Sequence, residues 1–320
     1  MRDVTLPGLG ASTSCLGFGC ASLGSRVSPA QSARALARAR DAGICWFDIA
    51  PAYGAGEAES LLGRFLRESG GRETVQICTK VGLVPPAQSP AKRLIRSALR
   101  PVVAVARPLR AAIRRSGATS NRSIPLTPEL LQSSLERSLT RLGTDRVEVY
   151  ALHNADPADL ARDEILRALE DLLASGKARA IAVAGQEEAA RAALAQGAPF
   201  GVIQLAQPLG AGAADLARQA ADQGLGSVTH SVFGVAGQLA ALTGQLKSDR
   251  ALQTRLAEAG YDGAPEDAAS ALLMARAFAA NAEGVVLASM ASERSLSRNL
   301  AAAARPLDPA AIALCAEIGV

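Results

Sequence analysis

The stretch TPELLQSSLERSLTRLGTDRVEVYALH, residues 127–153, contains one helix followed by one strand. Thr127-Pro128-Glu129 opens the helix, and Leu131, Leu135, Leu139 and Leu142 recur at spacings of three and four, so one stripe faces a sheet until Gly143 stops it. VEVYAL (147–152) then reads as a strand covered on both faces, because its apolar residues do not alternate cleanly with polar ones.

The same unit recurs outward in both directions. SCLGF (14–18), CWFDI (45–49) and VQICTK (75–80) come before it; RAIAVA (179–184), GVIQL (201–205), GSVTH (226–230) and GVVLA (284–288) come after. Helical segments lie between them at 29–42, 158–175, 186–196, 211–223, 265–282 and 291–304, the first with Ser28 as N-cap, Pro29 at its first position and Gly43 as its stop. Eight buried strands, each followed by a helix, predict an α/β fold in which a parallel sheet closes into a (β/α)8 TIM barrel, one domain over 1–320. TLPGLGAST (5–13) is expected to form a hairpin that closes the barrel bottom. One unit is irregular. Roughly fifty residues separate VQICTK from the helix at 128, so an insertion is placed at about 85–126, after the third strand. Within it Leu94, Ile95, Ala98, Leu99, Val102, Val105, Ala106, Leu109 and Ile113 share a helical face with arginines opposite, and Pro101 and Pro108 kink or divide the helix.

Of the 320 residues 49% are hydrophobic and 20% charged, enough to bury a large core, which excludes disordered and fibrous classes. The net charge of +4 is unevenly placed: from Thr74 to Pro128 there are ten basic residues and no acidic one, while the rest of the chain is acidic overall. That local basicity argues against a generic nucleic-acid binder. Five cysteines (Cys15, Cys20, Cys45, Cys78, Cys315), with no C-x-x-C pair and mostly in apolar runs, read as reduced buried thiols. No continuous apolar segment resembles a secretory signal or a membrane span, so a cytoplasmic location is expected.

Four polar residues fall on one rim. Asp48 ends the second strand, Tyr53 lies in the loop after it, Lys80 ends the third strand and His153 follows the fourth. In a (β/α)8 barrel the C-terminal strand ends converge over the mouth, so residues there are catalytic candidates. Taken singly, such a lysine serves as often as a structural ion-pair partner, and such a histidine as a satisfied polar residue; four together favour chemistry.

With LGFG (16–19), FDIAPAYGAGEAESLLG (47–63), TKVG (79–82), SLERSLTRLGTDRVEVYALH (134–153), the Gln of GVIQL and SERSLSRNL (292–300), the chain resembles the aldo-keto reductase family over most of its length. The resemblance implies a catalytic tetrad of Asp48, Tyr53, Lys80 and His153, a nicotinamide cofactor, and exchange of hydride between that cofactor and a small aldehyde, ketone or sugar. Reducing a carbonyl leaves charge on oxygen that a positioned acid must neutralise. Tyr53 would be that acid, brought nearer to transfer by the Lys80 ammonium; Asp48 would hold Lys80, and a neutral His153 would orient the substrate.

The cofactor side departs from the family. Where relatives carry Ser-Asn at the fifth strand end to hold the carboxamide, this chain has Ala184-Gly185, leaving Gln204 as the amide partner. The aromatic stacker aligns with His230, beside a retained Ser231, with a core histidine that caps a strand as the alternative. Asn299 matches the adenine contact, and the helix starting near Ala291 offers its N-terminus to phosphate. Ser289 and Ser295 stand where relatives have basic or amide residues, so a 2′-phosphate falls to Arg294 or Arg298, unless both merely solvate a helix face. NADP(H) is the expected cofactor, with NAD(H) open. GAGEAE (54–59) lacks the G-x-G-x-x-G fingerprint, no compact metal-ligand set occurs, and there is no G-x-S-x-G elbow. The insertion is expected to overhang the mouth and favour anionic substrates. The rival function is a weakened barrel that senses redox state or docks on a membrane surface or a partner through the basic amphipathic segment 92–115.

Overall fold

The first strands form a hairpin, with β1 (Asp3–Leu6) antiparallel to β2 (Ala11–Ser14). The computed structural model describes residues 1–25, 27–84, 122–207, 211–234 and 237–320. Between the hairpin strands, the turn Pro7–Leu9 lies against β-strands at the barrel bottom. A Cβ on Gly8 would overlap the Gly201 carbonyl, so only glycine allows the plug to seat this closely.

The barrel follows. Its strands are β3 (Leu16–Gly19), β4 (Trp46–Asp48), β5 (Gln76–Val81), β8 (Val147–His153), β9 (Ala178–Gly185), β10 (Phe200–Ala206), β11 (Gly226–His230) and β12 (Val285–Ala288). They pair in parallel in chain order, and β12 closes on β3. The register runs Gly19↔Asp48↔Cys78↔Val149 from β3 to β8 and His153↔Ala184↔Gln204 from β8 to β10. Six of the seven residues of β8 are buried, as expected of a strand covered on both faces. The rings of Phe18 and Phe47 stack at 5.8 Å inside the core, and Trp46, which precedes Phe47 in the chain, is fully buried.

Helices α1 (Pro29–Asp41), α2 (Ala58–Ser69), α3 (Pro128–Leu142), α4 (Asp163–Ala174), α5 (Glu187–Gln196) and α6 (Ala211–Asp222) alternate with the strands. Ser28 and Gln31 form a reciprocal capping box on α1, and Thr127 caps α3 by accepting from the Leu130 N–H. Leu131, Leu135 and Leu142 of α3 are buried on the barrel, and the Tyr150 hydroxyl of β8 donates to the Leu131 carbonyl at 2.9 Å. The expected helix 158–175 is instead a 3-10 turn, Pro157–Ala161, followed by α4, because Arg162 is extended between them.

Four further helices, α7 (Gln238–Ser248), α8 (Arg250–Glu258), α9 (Pro265–Ala280) and α11 (Ala310–Glu317), share a second apolar cluster that includes Leu242, Leu246, Leu256, Leu272 and Cys315. Helix α9 also packs on the barrel through Met274, Ala277 and Phe278, so it is apolar on both sides. Helix α10 (Glu293–Ala304) follows β12. The segment leaving the third barrel strand returns beside itself, since β6 (Leu83–Val84) pairs antiparallel with β7 (Arg122–Ser123). The amphipathic face at 92–115, its prolines and its overhang of the mouth lie outside the described residues.

Candidate active site

Alternation along β5 sorts its side chains between two environments. Cys78 and Lys80 point one way, toward Asp48, while Thr79 points the other way and donates to Glu59 of α2 at 2.7 Å. Lys80 is 1% exposed, with its Nζ 2.5 Å from Asp48 Oδ2 and 3.3 Å from the Ile49 carbonyl, which accepts from it. The Tyr53 ring centroid is 5.5 Å from the same nitrogen, and the rings of Tyr53 and His153 meet edge to face at 6.2 Å. The four candidates, from the ends of three strands and the loop after one of them, therefore form one cluster. Tyr53 owes its place to a tight turn: Gly54 has φ 61, and a Cβ there would overlap the Leu23 carbonyl.

Behind the cluster, Glu59 is buried and pairs with Arg141 of α3, Nε to Oε2 at 2.6 Å, while also accepting from Thr79. This tie between α2, α3 and β5 fixes the strand that carries Lys80. No local sequence signal announces it, because its members come from three elements. Cys78 could have been found from its i, i+2 spacing with Lys80.

Burial controls the protonation states. It pushes the Tyr53 phenol up to about 12, with Asp48 adding to the rise and the Lys80 ammonium opposing it. The expectation that Lys80 makes this phenol acidic on balance is therefore reversed by desolvation. Burial opposes the Lys80 ammonium, but Asp48 and the neighbouring Tyr53 and Cys78 outweigh it and raise Lys80 above its ordinary value. His153 is pushed down to about 3 by burial, then by Lys80 and His230, so its imidazole is neutral near pH 7. His230 is also lowered, mainly by burial. The thiols of Cys20 and Cys78 are raised by burial and stay protonated.

Three of the expected cofactor residues, Gln204, His230 and Ser289, stand near the C-terminal ends of β10, β11 and β12. Gln204 is buried in β10, level with Ala184 and His153. His230 ends β11 with its Nδ1 2.9 Å from Ser231 Oγ. Ser289 directly follows β12 and lies 3.5 Å from Ser22 Oγ. Helix α10 begins at Glu293, not near Ala291, because Ser292 and Ser295 cap it reciprocally. Asn299, on α10, is 1% exposed and its Nδ2 has no hydrogen-bond partner, which leaves a buried donor available to a ligand. Arg298 pairs with Glu266 at 3.1 Å and Asp267 at 3.0 Å, and Arg294 with Asp267 at 3.3 Å. The two carboxylates open α9, about thirty residues before the arginines, and no local sequence signal links them. Among the described residues no group of His, Cys, Asp and Glu could hold a metal ion.

Comparisons with known proteins bear on the fold and the family. Among curated proteins, the chain is 30% identical over 142 residues to a 6-dehydroglucose reductase of Agrobacterium fabrum, covering 44% of this chain and 39% of that one. It is 30% identical over 189 residues to a D-threo-aldose 1-dehydrogenase of a Pseudomonas species, covering 54% and 50%. The chain thus spans about half the length, or less, of the curated relatives it matches. Among solved structures, an aldo-keto reductase of Bacillus halodurans in its holo form superposes with a TM-score of 0.70 at 20% identity, over 99% of this chain and 96% of that one. One from Klebsiella pneumoniae in complex with NADP and acetate gives 0.68 at 20% identity, over 99% and 95%. A family model matches residues 15–319, and the chain belongs to the Aldo/keto reductase family.

Proposed function

We propose that this protein interconverts a small carbonyl compound and its alcohol, with Tyr53 as the proton donor and acceptor and NADP(H) as cofactor. The observation that carries the reading is the contact of a protonated phenol, a neutral imidazole and a buried ammonium at the barrel mouth.

In the reducing direction, the Tyr53 hydroxyl donates its proton to the carbonyl oxygen as charge builds there. His153, being neutral, presents one ring N–H as a hydrogen-bond donor to the same oxygen and turns the substrate toward the phenol. Lys80 offsets the charge left on Tyr53, and Asp48 keeps that ammonium in place and charged. Oxidation of the alcohol uses the same atoms in reverse. A nicotinamide dinucleotide, when bound, supplies or accepts the hydride. Gln204 would meet its carboxamide, His230 and Ser231 its nicotinamide end, and Asn299 its adenine through the unpaired Nδ2. Ser289, Arg294 and Arg298 are left for its phosphates.

Two relatives with sugar-acting names point to a polyhydroxylated substrate class. The rival reading, docking through 92–115, rests on residues outside those described, whereas the clustered tetrad favours an enzyme. The test has two parts. Calorimetry should show binding of NADPH or NADH, and a screen of aldehydes and sugars should show loss of reduced-cofactor absorbance. Tyr53→Phe should then keep cofactor affinity while turnover falls by about a hundredfold or more. Absence of binding by either dinucleotide overturns the enzyme reading, and turnover that survives Tyr53→Phe overturns the assignment of the acid.

A further inference from the structure

The fifth barrel strand, β9, reaches the mouth without a polar side chain, ending in Ala184 and Gly185. The backbone of its neighbour turns over that end. Asn154, the residue after His153, has φ 55, a left-handed conformation that asparagine tolerates better than other non-glycine residues. Its N–H donates to the Ala184 carbonyl at 2.7 Å, which fixes the turn. The Asn154 side chain then lies across Gly185. A Cβ at Gly185 would overlap Asn154 Oδ1 and stand 3.1 Å from its Cγ, and Gly185 itself has φ 138. The amide that follows β8 thus occupies the space at the end of β9 that a side chain of residue 185 would need.

Its position gives it a use. Gln204 is level with Ala184 and His153 in the register, and Asn154 and Gly185 stand one residue nearer the mouth. Two amide side chains therefore flank the bare end of β9 on adjacent levels, Gln204 buried and Asn154 exposed. A pyridine ring that presents one face to the Tyr53–His153 pair has to be fixed by its exocyclic carboxamide, which offers one acceptor and two N–H donors. We infer that Asn154 is a cofactor-positioning residue, its Oδ1 accepting a hydrogen bond from the nicotinamide carboxamide in the space cleared by Gly185. The inference rests on the dinucleotide-dependent function proposed above.

The experiment compares binding of NADPH with that of its 3-acetylpyridine analogue, which keeps the carbonyl acceptor and lacks the N–H donors. Calorimetry on the full chain is the readout, for wild type, Asn154→Gly and Asn154→Asp. Glycine suits the left-handed backbone, so Asn154→Gly should fold with an unchanged thermal midpoint. Wild type should favour NADPH over the analogue, and this ratio should shrink by about threefold to tenfold in Asn154→Gly, the usual worth of one hydrogen bond. Asn154→Asp, which keeps an acceptor oxygen, should restore the ratio. If wild type binds NADPH and the ratio is the same in Asn154→Gly, the positioning role is refuted while the proposed function stands. If wild type binds no dinucleotide, both are overturned.

Discussion

Replacing Asp48 by asparagine should leave the Lys80 ammonium in a site built for a charge pair. Lys80 is 1% exposed, and its two polar contacts at 3.3 Å or less are the carboxylate of Asp48 and the Ile49 carbonyl. Breaking a buried pair by removing one partner costs about 3–5 kcal/mol. An independent route gives a similar figure. An unfolded lysine titrates near about 10.4, so a Lys80 that escapes the penalty by giving up its proton at pH 7 does so at about 4–5 kcal/mol. For a chain of this size that is a fall in Tm of roughly 6–7 °C. Removing both charges in Asp48→Asn/Lys80→Met should return stability to within about 1 kcal/mol of wild type.

The pH dependence identifies the cause. In wild type the Lys80 pKa is raised on folding, so its contribution is fully present below the unfolded value and is lost as pH climbs above it. In Asp48→Asn burial acts on Lys80 without the opposing carboxylate, the folded pKa falls below the unfolded one, and stability grows with pH up to about 10. The gap between the two proteins should therefore narrow between pH 7 and 10, by up to about 1.4 kcal/mol per unit. Urea titrations of wild type, both single variants and the double variant across that range supply the data. A constant gap, or a double variant whose loss equals the sum of the singles, would refute the argument from the buried pair.

Other consequences are as direct. His153 is held near about 3 against an ordinary 6.5, so its contribution to stability is present above pH 6.5 and declines as pH drops; from pH 7 to 5 wild type should lose about 2 kcal/mol more than His153→Asn, read by urea unfolding. With Tyr53 near 12, alcohol oxidation needs a scarce phenolate, so its kcat/KM should climb about tenfold per unit from pH 7 to 9 while carbonyl reduction stays flat; a plateau in oxidation below pH 8 would contradict that value. Glu266 and Asp267 already pair with Arg294 and Arg298, so Glu266→Gln/Asp267→Asn should tighten NADPH relative to NADH by about fivefold in calorimetry, and an unchanged ratio would remove both arginines from 2′-phosphate recognition.

Much of this molecule could be read without coordinates, for a reason specific to parallel barrels. Strands such as VEVYAL and GVIQL are buried on both faces, so their apolar character is continuous, and glycines and helix caps mark their limits. The tetrad was legible because each member sits at a fixed offset from a strand end. What escaped depends on partners far apart in the chain. Helix α8 has one buried apolar residue, Leu256, and acquires its packing from α7, α9 and α11. Glu59 reads as an ordinary helical acid until Arg141, 82 residues away, closes on it. Asn154 gains meaning only through a left-handed backbone that aims it across Gly185.

The direction of the Tyr53 shift follows the same logic and changes what Lys80 does. From sequence, an ammonium near a phenol suggests an acid prepared in advance. In the folded protein burial outweighs that attraction, and the phenol holds its proton more firmly than tyrosine in water. The ammonium at 5.5 Å from the ring then matters most while the proton is leaving, when phenolate charge develops in a site from which water is largely excluded. A contribution of that kind belongs to the transition state and not to the resting enzyme. Lys80→Met should accordingly lower kcat for carbonyl reduction with little effect on cofactor affinity, by a factor that stays constant from about pH 6 to 9, where the Tyr53 phenol keeps its proton with or without the ammonium. A factor that changes with pH over that range would show instead that Lys80 sets the protonation state of the phenol before substrate arrives.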